Sequence, residues 1–250
     1  MYSAKPVIAK LIYQLARLIF SARTVHLMHA DLVRLRTRLL SPALKSSMPH
    51  QTKLHLGCGL QCIPGWLNID LAESDCNVDL AKGRLPWESA VFDVAVGRHV
   101  IEHLELLDEL MPLLRELRRV MKTGGKVWLS CPDIEKLCRS YLNYKMVDLL
   151  EDRKKRFPQY SLGQIPPQHL LNDLFHQCSE PSDRYGFKPL DQRLGVHKNL
   201  FDFELLKWAL EEANFSAVKR VVETDLLNCF PEFPPRNDDA QSIYVYATAS

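Results

Sequence analysis

Two glycines and an acid carry the most specific chemistry in this chain. Lys53-Leu-His-Leu-Gly57-Cys58-Gly59 reads as a buried strand running into a glycine turn, and Trp66-Leu-Asn-Ile-Asp70 as a second strand that ends in a carboxylate. Glycine lacks a Cβ and tolerates positive φ, so such a turn lets backbone approach a ligand closely. An acid at the tip of the following strand can accept hydrogen bonds from two ribose hydroxyls. The pair points to a cofactor containing adenosine. Gly57-x-Gly59-x-x-Cys62 also comes close to the dinucleotide fingerprint, which keeps NAD(P) as a lesser alternative. That fingerprint wants a third small residue and an acid about 20 residues on. Here Asp70 comes 11 residues after Gly59, and Pro64-Gly65 blocks a long intervening helix.

Elements able to position these residues alternate strand and helix, the order that builds a doubly wound, mostly parallel α/β sheet. Strands are expected at 53–57, 66–70, 75–79, 91–97 and 125–131, with a helix over 104–121 that Thr123-Gly124-Gly125 closes. A further helix follows Pro132-Asp133. The chain ends as helix (202–213), strand (216–223) and an alternating strand over Ile243-Tyr-Val-Tyr-Ala247. Between them, residues 151–199 are polar, broken by proline and too long for an ordinary connection, so they read as a lid or substrate-binding insertion. Phe157, Tyr160, Phe175, Tyr185 and Phe187 there suit sugar rings or a small core of the lid's own.

The 250 residues, 46% hydrophobic and 25% charged, fit one globular domain with decoration. Seven cysteines, an odd number without a CxxC pair, argue against a disulfide framework and against a zinc site. They read as reduced thiols in a cytoplasmic protein, and no metal is expected.

A net charge of +2 conceals an asymmetry, because residues 1–50 hold eight Lys/Arg against one acid, Asp31, leaving 24 basic and 29 acidic residues in the remainder, a net of −5. A domain of that sign has no electrostatic reason to seek a phosphate backbone, so nucleic acid is not expected as a partner. Residues 1–49 read as a separate basic arm and 50–250 as the main domain, with Ser41-Pro42 and Ser46-Ser47-Met48-Pro49 marking the junction. In the arm Val7, Ile8, Leu11, Ile12, Leu15, Leu18 and Ile19 recur at helical spacing, with Lys10, Gln14 and Arg17 opposite. Such a helix suits the anionic inner face of a membrane. It equally suits packing on its own domain or, through residues 1–40, on a second subunit; a mitochondrial presequence is a third reading.

With these pieces in order, residues 53–131 resemble a class I S-adenosylmethionine-dependent methyltransferase of the small-molecule and glycan-modifying group. The matching segments are Leu54-His-Leu-Gly-Cys-Gly59, Pro64-Gly-Trp-Leu-Asn-Ile-Asp70, Asp79-Leu80 with Leu85-Pro86-Trp87, Phe92-Asp-Val-Ala-Val96, His99-Val-Ile-Glu-His-Leu104, and Leu117 to Gly125 leading to Ser130-Cys-Pro-Asp133. The third glycine often seen in the first loop is replaced by Leu60-Gln61-Cys62.

The resemblance implies a Rossmann-like fold of seven strands with an antiparallel last strand, and S-adenosyl-L-methionine as cofactor. It implies that backbone amides at Gly57, Cys58 and Gly59 face the methionine carboxylate, Asp70 the ribose, Asp79 and the Leu80 backbone the adenine, and that His99 lies beside the cofactor. A hydroxyl acceptor must lose a proton, and histidine is the base best matched to neutral pH. The resemblance sets His103 at the mouth of the acceptor site, which makes it the first candidate, His197 the second, and His169 and His176 weaker ones. The implied activity is O-methylation of a sugar, glycan or small metabolite. The alternative from another class is a non-catalytic member of the fold that binds cofactor or partner.

Overall fold

The computed structural model describes residues 14–16, 18–40, 51–156, 171 and 197–250. Its elements are α1 (Ala22–Leu40), β1 (Lys53–Leu56), β2 (Leu67–Asp70), β3 (Cys76–Asn77), β4 (Phe92–Arg98), α2 (Met111–Val120), β5 (Met121–Pro132), α3 (Ile134–Leu142), α4 (Met146–Arg156), α5 (Phe203–Glu212), β6 (Phe215–Val221), α6 (Glu223–Cys229) and β7 (Ser242–Ala249). Of the amphipathic stretch expected at 7–19, residues 7–13 and 17 lie outside the described residues. So do His169, His176 and the aromatic residues of the insertion.

The strands form one seven-stranded sheet in the order β3-β2-β1-β4-β5-β7-β6. Pairings from β3 across to β5 are parallel, while β7 runs antiparallel to both β5 and β6. The strand order reverses between β1 and β4, and in open α/β sheets the crevice beyond the carboxyl ends of the strands at such a point receives the ligand. Register aligns those ends, with Leu56 opposite Gly97 and Leu56 opposite Ile69. The turn after β1, the tip of β2 and the turn after β4 therefore meet along one edge.

Both faces of the sheet are covered. Leu54, Ile69, Phe92, Leu114, Leu117, Phe201 and Leu210 are fully buried in the larger core. Trp66, Val96, Trp128, Phe233 and Tyr244 form the core on the other face. Each such side chain contributes on the order of 1.5–3 kcal/mol on burial.

β1 and β2 are parallel neighbours, a pairing that ordinarily takes a crossover of a dozen or more residues. Here only residues 57–66 connect them, without a helix. Asn68 holds that short link: its Oδ1 accepts from Ile63 N (2.7 Å), and its Nδ2 donates to Ile63 O (3.1 Å) and to Asp75 Oδ2 (2.7 Å). A dinucleotide-type helix after Gly59 is thus absent, as the proline-glycine pair requires.

The helix expected over 104–121 begins as a π turn at Leu106–Leu110 that runs directly into α2, with a separate 3₁₀ turn at Ile101–His103 before it. It stops at Val120, before Thr123-Gly124-Gly125, and those glycines belong to β5. The reason lies across the chain, where Ala90 N and Val91 N donate to Arg119 O and Val120 O (3.0 and 2.8 Å) and satisfy the carbonyls of the last turn. The local sequence holds no sign of that partner. The helices after Asp133 and Asp202 begin where expected, because each aspartate caps the first-turn amides: Asp133 those of Glu135 and Lys136, Asp202 that of Leu205. A short helix, α6, was not expected.

Candidate active site

Gly57 and Gly59 both adopt left-handed φ, +61° and +54°. A Cβ on Gly57 would stand 2.6 Å from Val100 Cβ, so glycine is required there for the β1 turn to pass under the β4 turn. Over Gly59 no atom lies within 4 Å of where a Cβ would point, which leaves the backbone open for a ligand. Asp70 faces this turn from the tip of β2: its Oδ2 accepts from Gly59 N (2.7 Å) and its Oδ1 from Leu71 N (2.6 Å). A carboxylate has about four acceptor positions, so two remain for a vicinal diol. Burial pushes the Asp70 carboxyl above its ordinary range, against the two amides and the nearby His103, which favour its charge.

The amide roles implied for the glycine turn need correction. Cys58 N donates to Ile69 O (3.1 Å) and Gly59 N to the Asp70 carboxylate, so these two amides hold β2 in place and are already engaged within the protein. Asp79 is also engaged. Its Oδ1 accepts from Ala81 N (3.2 Å), capping the 3₁₀ turn at Leu80–Lys82, and its Oδ2 accepts from Arg38 Nε at 2.6 Å. Thr37 Oγ1 donates to Leu71 O (2.7 Å), and Arg34 pairs with Glu109 at 3.8 Å. The basic arm thus reaches the strip between Asp70 and Asp79 through α1. Leu27, Met28, Leu32, Leu35 and Leu39 of that helix stay exposed.

Beyond β4 the chain turns sharply, with His99 at φ +57° and its amide bonded to Ser130 O (2.8 Å). The next turn brings Glu102 and His103 to the same place, and His197 arrives from nearly a hundred residues later. Lys198 N and Asn199 N donate to Glu102 O (2.8 and 3.2 Å), and Asn199 Nδ2 to Leu104 O, which clamps His197 against this turn. The rings of His103 and His197 have centroids 5.1 Å apart. Glu102 is 1% exposed and His197 8%.

Both ring nitrogens of His99 are engaged within the protein. Its Nε2 faces Asp238 Oδ2 (2.8 Å) and Ser242 Oγ (3.1 Å), and its Nδ1 lies 3.0 Å from Glu102 Oε1. Burial and Arg236 oppose charge on this imidazole, yet Glu102 and Asp238 prevail and raise its pKa. Burial likewise opposes charge on Glu102, but His99, followed by His103 and His197, holds its carboxyl down to about 2. Asp238 is kept ionised in the same way, with Tyr244 OH (2.6 Å) and Arg236 Nε (3.1 Å) donating to it.

The structure sets His103 and His197, which the sequence offered as alternative bases, side by side, and places Gly57, Gly59 and Asp70 together at the neighbouring turn. Sequence reasoning missed Glu102, Asp238 and Arg38. Glu102 stood inside a quoted segment, between two candidate histidines, whereas nothing in the local sequence marks Asp238 or Arg38.

Residues 67–129 match the family model described as a methyltransferase domain. No curated protein matches the chain. Among solved structures, a methyltransferase of Thermotoga maritima described as a possible histamine N-methyltransferase is 13% identical, covering 91% of this chain and 96% of its own, with a TM-score of 0.42. A S-adenosylmethionine-dependent methyltransferase of Archaeoglobus fulgidus is 16% identical over 88% of this chain and 94% of its own, with a TM-score of 0.41. Phosphoethanolamine N-methyltransferase 2 of Haemonchus contortus, solved with S-adenosylhomocysteine, is 13% identical over 85% and 52%, with a TM-score of 0.39. Likeness at that level carries nothing about substrate. The matched segment runs from β2 into β5, and the strands outside it complete the order and the reversed last strand that the resemblance implied, so residues 67–129 are a match to a methyltransferase domain set within a class I, Rossmann-like sheet.

Proposed function

We propose that the protein O-methylates a hydroxyl of a sugar, glycan or other small metabolite. The observation that carries this reading is the convergence of His103 and His197 on the buried Glu102, next to the turn where Asp70 and Gly59 offer acceptor positions and open backbone. When bound, the cofactor supplies a sulfonium methyl group that accepts an oxygen lone pair and leaves a neutral thioether behind. Asp70 would hold the ribose diol, with Gly57 and Gly59 letting the chain pass close beneath it. Asp79 and the Leu80 backbone would border the adenine, with Arg38 fixing the outer oxygen of Asp79. An imidazole nitrogen of His103 would take the hydroxyl proton, with His197 behind it. Such proton transfer is worth roughly 10²–10⁴-fold in rate.

His103→Ala is expected to lower turnover by roughly 10²-fold while leaving affinity for S-adenosylhomocysteine nearly unchanged. Single-turnover transfer from labelled cofactor into cell-envelope extract, followed by mass spectrometry, reads both. Unchanged turnover in the variant would move proton removal elsewhere.

The exposed apolar edge of α1 extends the reading to partners. No described helix is long and apolar enough to cross a membrane. We propose that residues 1–40 meet an anionic membrane surface at the cytoplasmic face, and residues 50–250 act as the catalytic domain. Co-sedimentation with anionic liposomes that weakens as salt rises supports this; a dimer by light scattering without liposome binding assigns the edge to a second subunit.

A further inference from the structure

The histidine cluster has the composition and closeness of a cation site. One ligating atom from each of Glu102, His103 and His197 lies within 4.8 Å of the others, and His197 Nε2 is 3.9 Å from Glu102 Oε1. Around a zinc-class ion, ligand atoms stand about 2.0–2.2 Å from the metal, hence roughly 3.4 Å from one another. The three donors need to draw together by at most about 1.4 Å to reach that spacing.

A second observation is the state of Glu102. Its carboxylate is fully buried, and neither oxygen receives an aligned hydrogen bond from any described residue. His99 Nδ1 stands 3.0 Å from Oε1 on one side, while the opposite ring nitrogen, Nε2, faces Asp238. Burying a carboxylate without hydrogen bonds is costly unless a cation neutralises it. Besides His99, the Glu102 carboxylate faces His103 and His197, whose ligating atoms lie within 4.8 Å of one of its oxygens.

The surroundings are those of a held ligand set. Metal ligands are oriented by outer partners that fix their rotamers. Here His99 stands behind Glu102, Asp238 and Ser242 behind His99, and Tyr244 and Arg236 donate in turn to Asp238. The backbone clamp from residues 198 and 199 onto Glu102 O fixes the approach of His197.

We propose that Glu102, His103 and His197 bind one divalent transition-metal cation of the zinc class, with coordination positions left open for the acceptor's hydroxyl. Two imidazoles and one carboxylate suit zinc, cobalt or iron better than magnesium or calcium, which prefer all-oxygen shells. Three protein ligands leave the open position of a catalytic site. The inference rests on the reading above that the acceptor binds at this cluster. It alters one part of that reading: His103 serves as a ligand, and the bound hydroxyl, its pKa lowered by the cation, releases its proton to water before its oxygen takes the methyl group.

The test uses the full chain stripped of metal with a chelator, then titrated with Zn²⁺ by calorimetry and with Co²⁺ by visible absorption. One ion per chain in the micromolar range or tighter is expected, with cobalt bands of a nitrogen- and oxygen-ligated ion. Glu102→Gln and His197→Ala are each expected to weaken binding at least tenfold. Binding of S-adenosylhomocysteine to each protein shows separately that the fold and the cofactor end are intact, and if Glu102→Gln does not fold, His197→Ala carries the comparison. Absence of stoichiometric binding by wild type, or equal binding by a folded variant, overturns the site. Methyl transfer by stripped protein at the full rate overturns the role of the cation while leaving the proposed O-methylation standing; metal binding without any hydroxyl acceptor does the reverse.

Discussion

Arg38 Nε stands 2.6 Å from Asp79 Oδ2, joining the helix that precedes the sheet to the acid assigned to the adenine. The Asp79 side chain is 5% exposed and that of Arg38 38%, so the pair sits at the rim of the domain. A fully exposed pair of this kind contributes little. Here Asp79 is nearly buried, and among the described residues it is Arg38 that pairs with its Oδ2.

Arg38→Ala is therefore expected to cost about 1–3 kcal/mol, a fall in melting temperature of several degrees for a chain of this size. In a double-mutant cycle with Asp79→Asn the two losses should fail to add by roughly 1 kcal/mol. Additive losses in thermal melts would show that α1 is not fastened at this point.

Asp70→Ala removes the expected ribose partner and is expected to weaken S-adenosylhomocysteine binding by about 1–3 kcal/mol, or roughly 5–150-fold. The same substitution frees Gly59 N and Leu71 N, so a modest drop in stability accompanies it. Calorimetry with wild type and variant gives the comparison; equal affinities would remove Asp70 from the cofactor site.

Gly57→Ala places a Cβ against Val100 and forces alanine into left-handed backbone. The backbone term alone is about 1–2 kcal/mol, and the clash adds to it. Gly57→Ala with Val100→Ala should recover the steric part only. Chemical denaturation separates the two contributions: full recovery would mean that the positive φ imposes no cost, and no recovery that Val100 is not the obstacle.

Acid sensitivity is expected from His55. Burial, aided by the positive charge of Arg98, outweighs its hydrogen bond to Asn68 and lowers its pKa from 6.5 to about 4. The unfolded chain then binds the extra proton from about pH 6.5 downward, while the folded chain resists it until about pH 4. Stability from this group is present above pH 6.5 and falls as the pH drops through that window, by up to about 3 kcal/mol. His55→Gln loses the Asn68 contact, so it is less stable at pH 7.5, but its deficit should shrink on acidification. A deficit constant between pH 7.5 and 4.5 contradicts the assignment.

How far the sequence alone reaches can be seen by comparing particular residues. The strands, their order of appearance and the helices after Asp133 and Asp202 follow from hydrophobic patterning and local hydrogen-bond chemistry, both set by near neighbours in the chain, whereas the reversed last strand was implied by the family resemblance. Gly57, Gly59 and Asp70 were legible for the same reason, since each lies at or just beyond the end of a strand, while His103 was singled out by the family resemblance. The end of α2 was not legible, because its carbonyls are satisfied by Ala90 and Val91, thirty residues away in sequence.

The same limit applies to the site. Only the tertiary structure delivers His197 to Glu102, turns His99 between Glu102 and Asp238, spends the Cys58 and Gly59 amides on β2, and lays Arg38 on Asp79. Charge burial and convergence are properties of the folded space around a residue. A sequence lists the donors and acceptors, whereas chain reversal and packing decide which of them lose water and face one another.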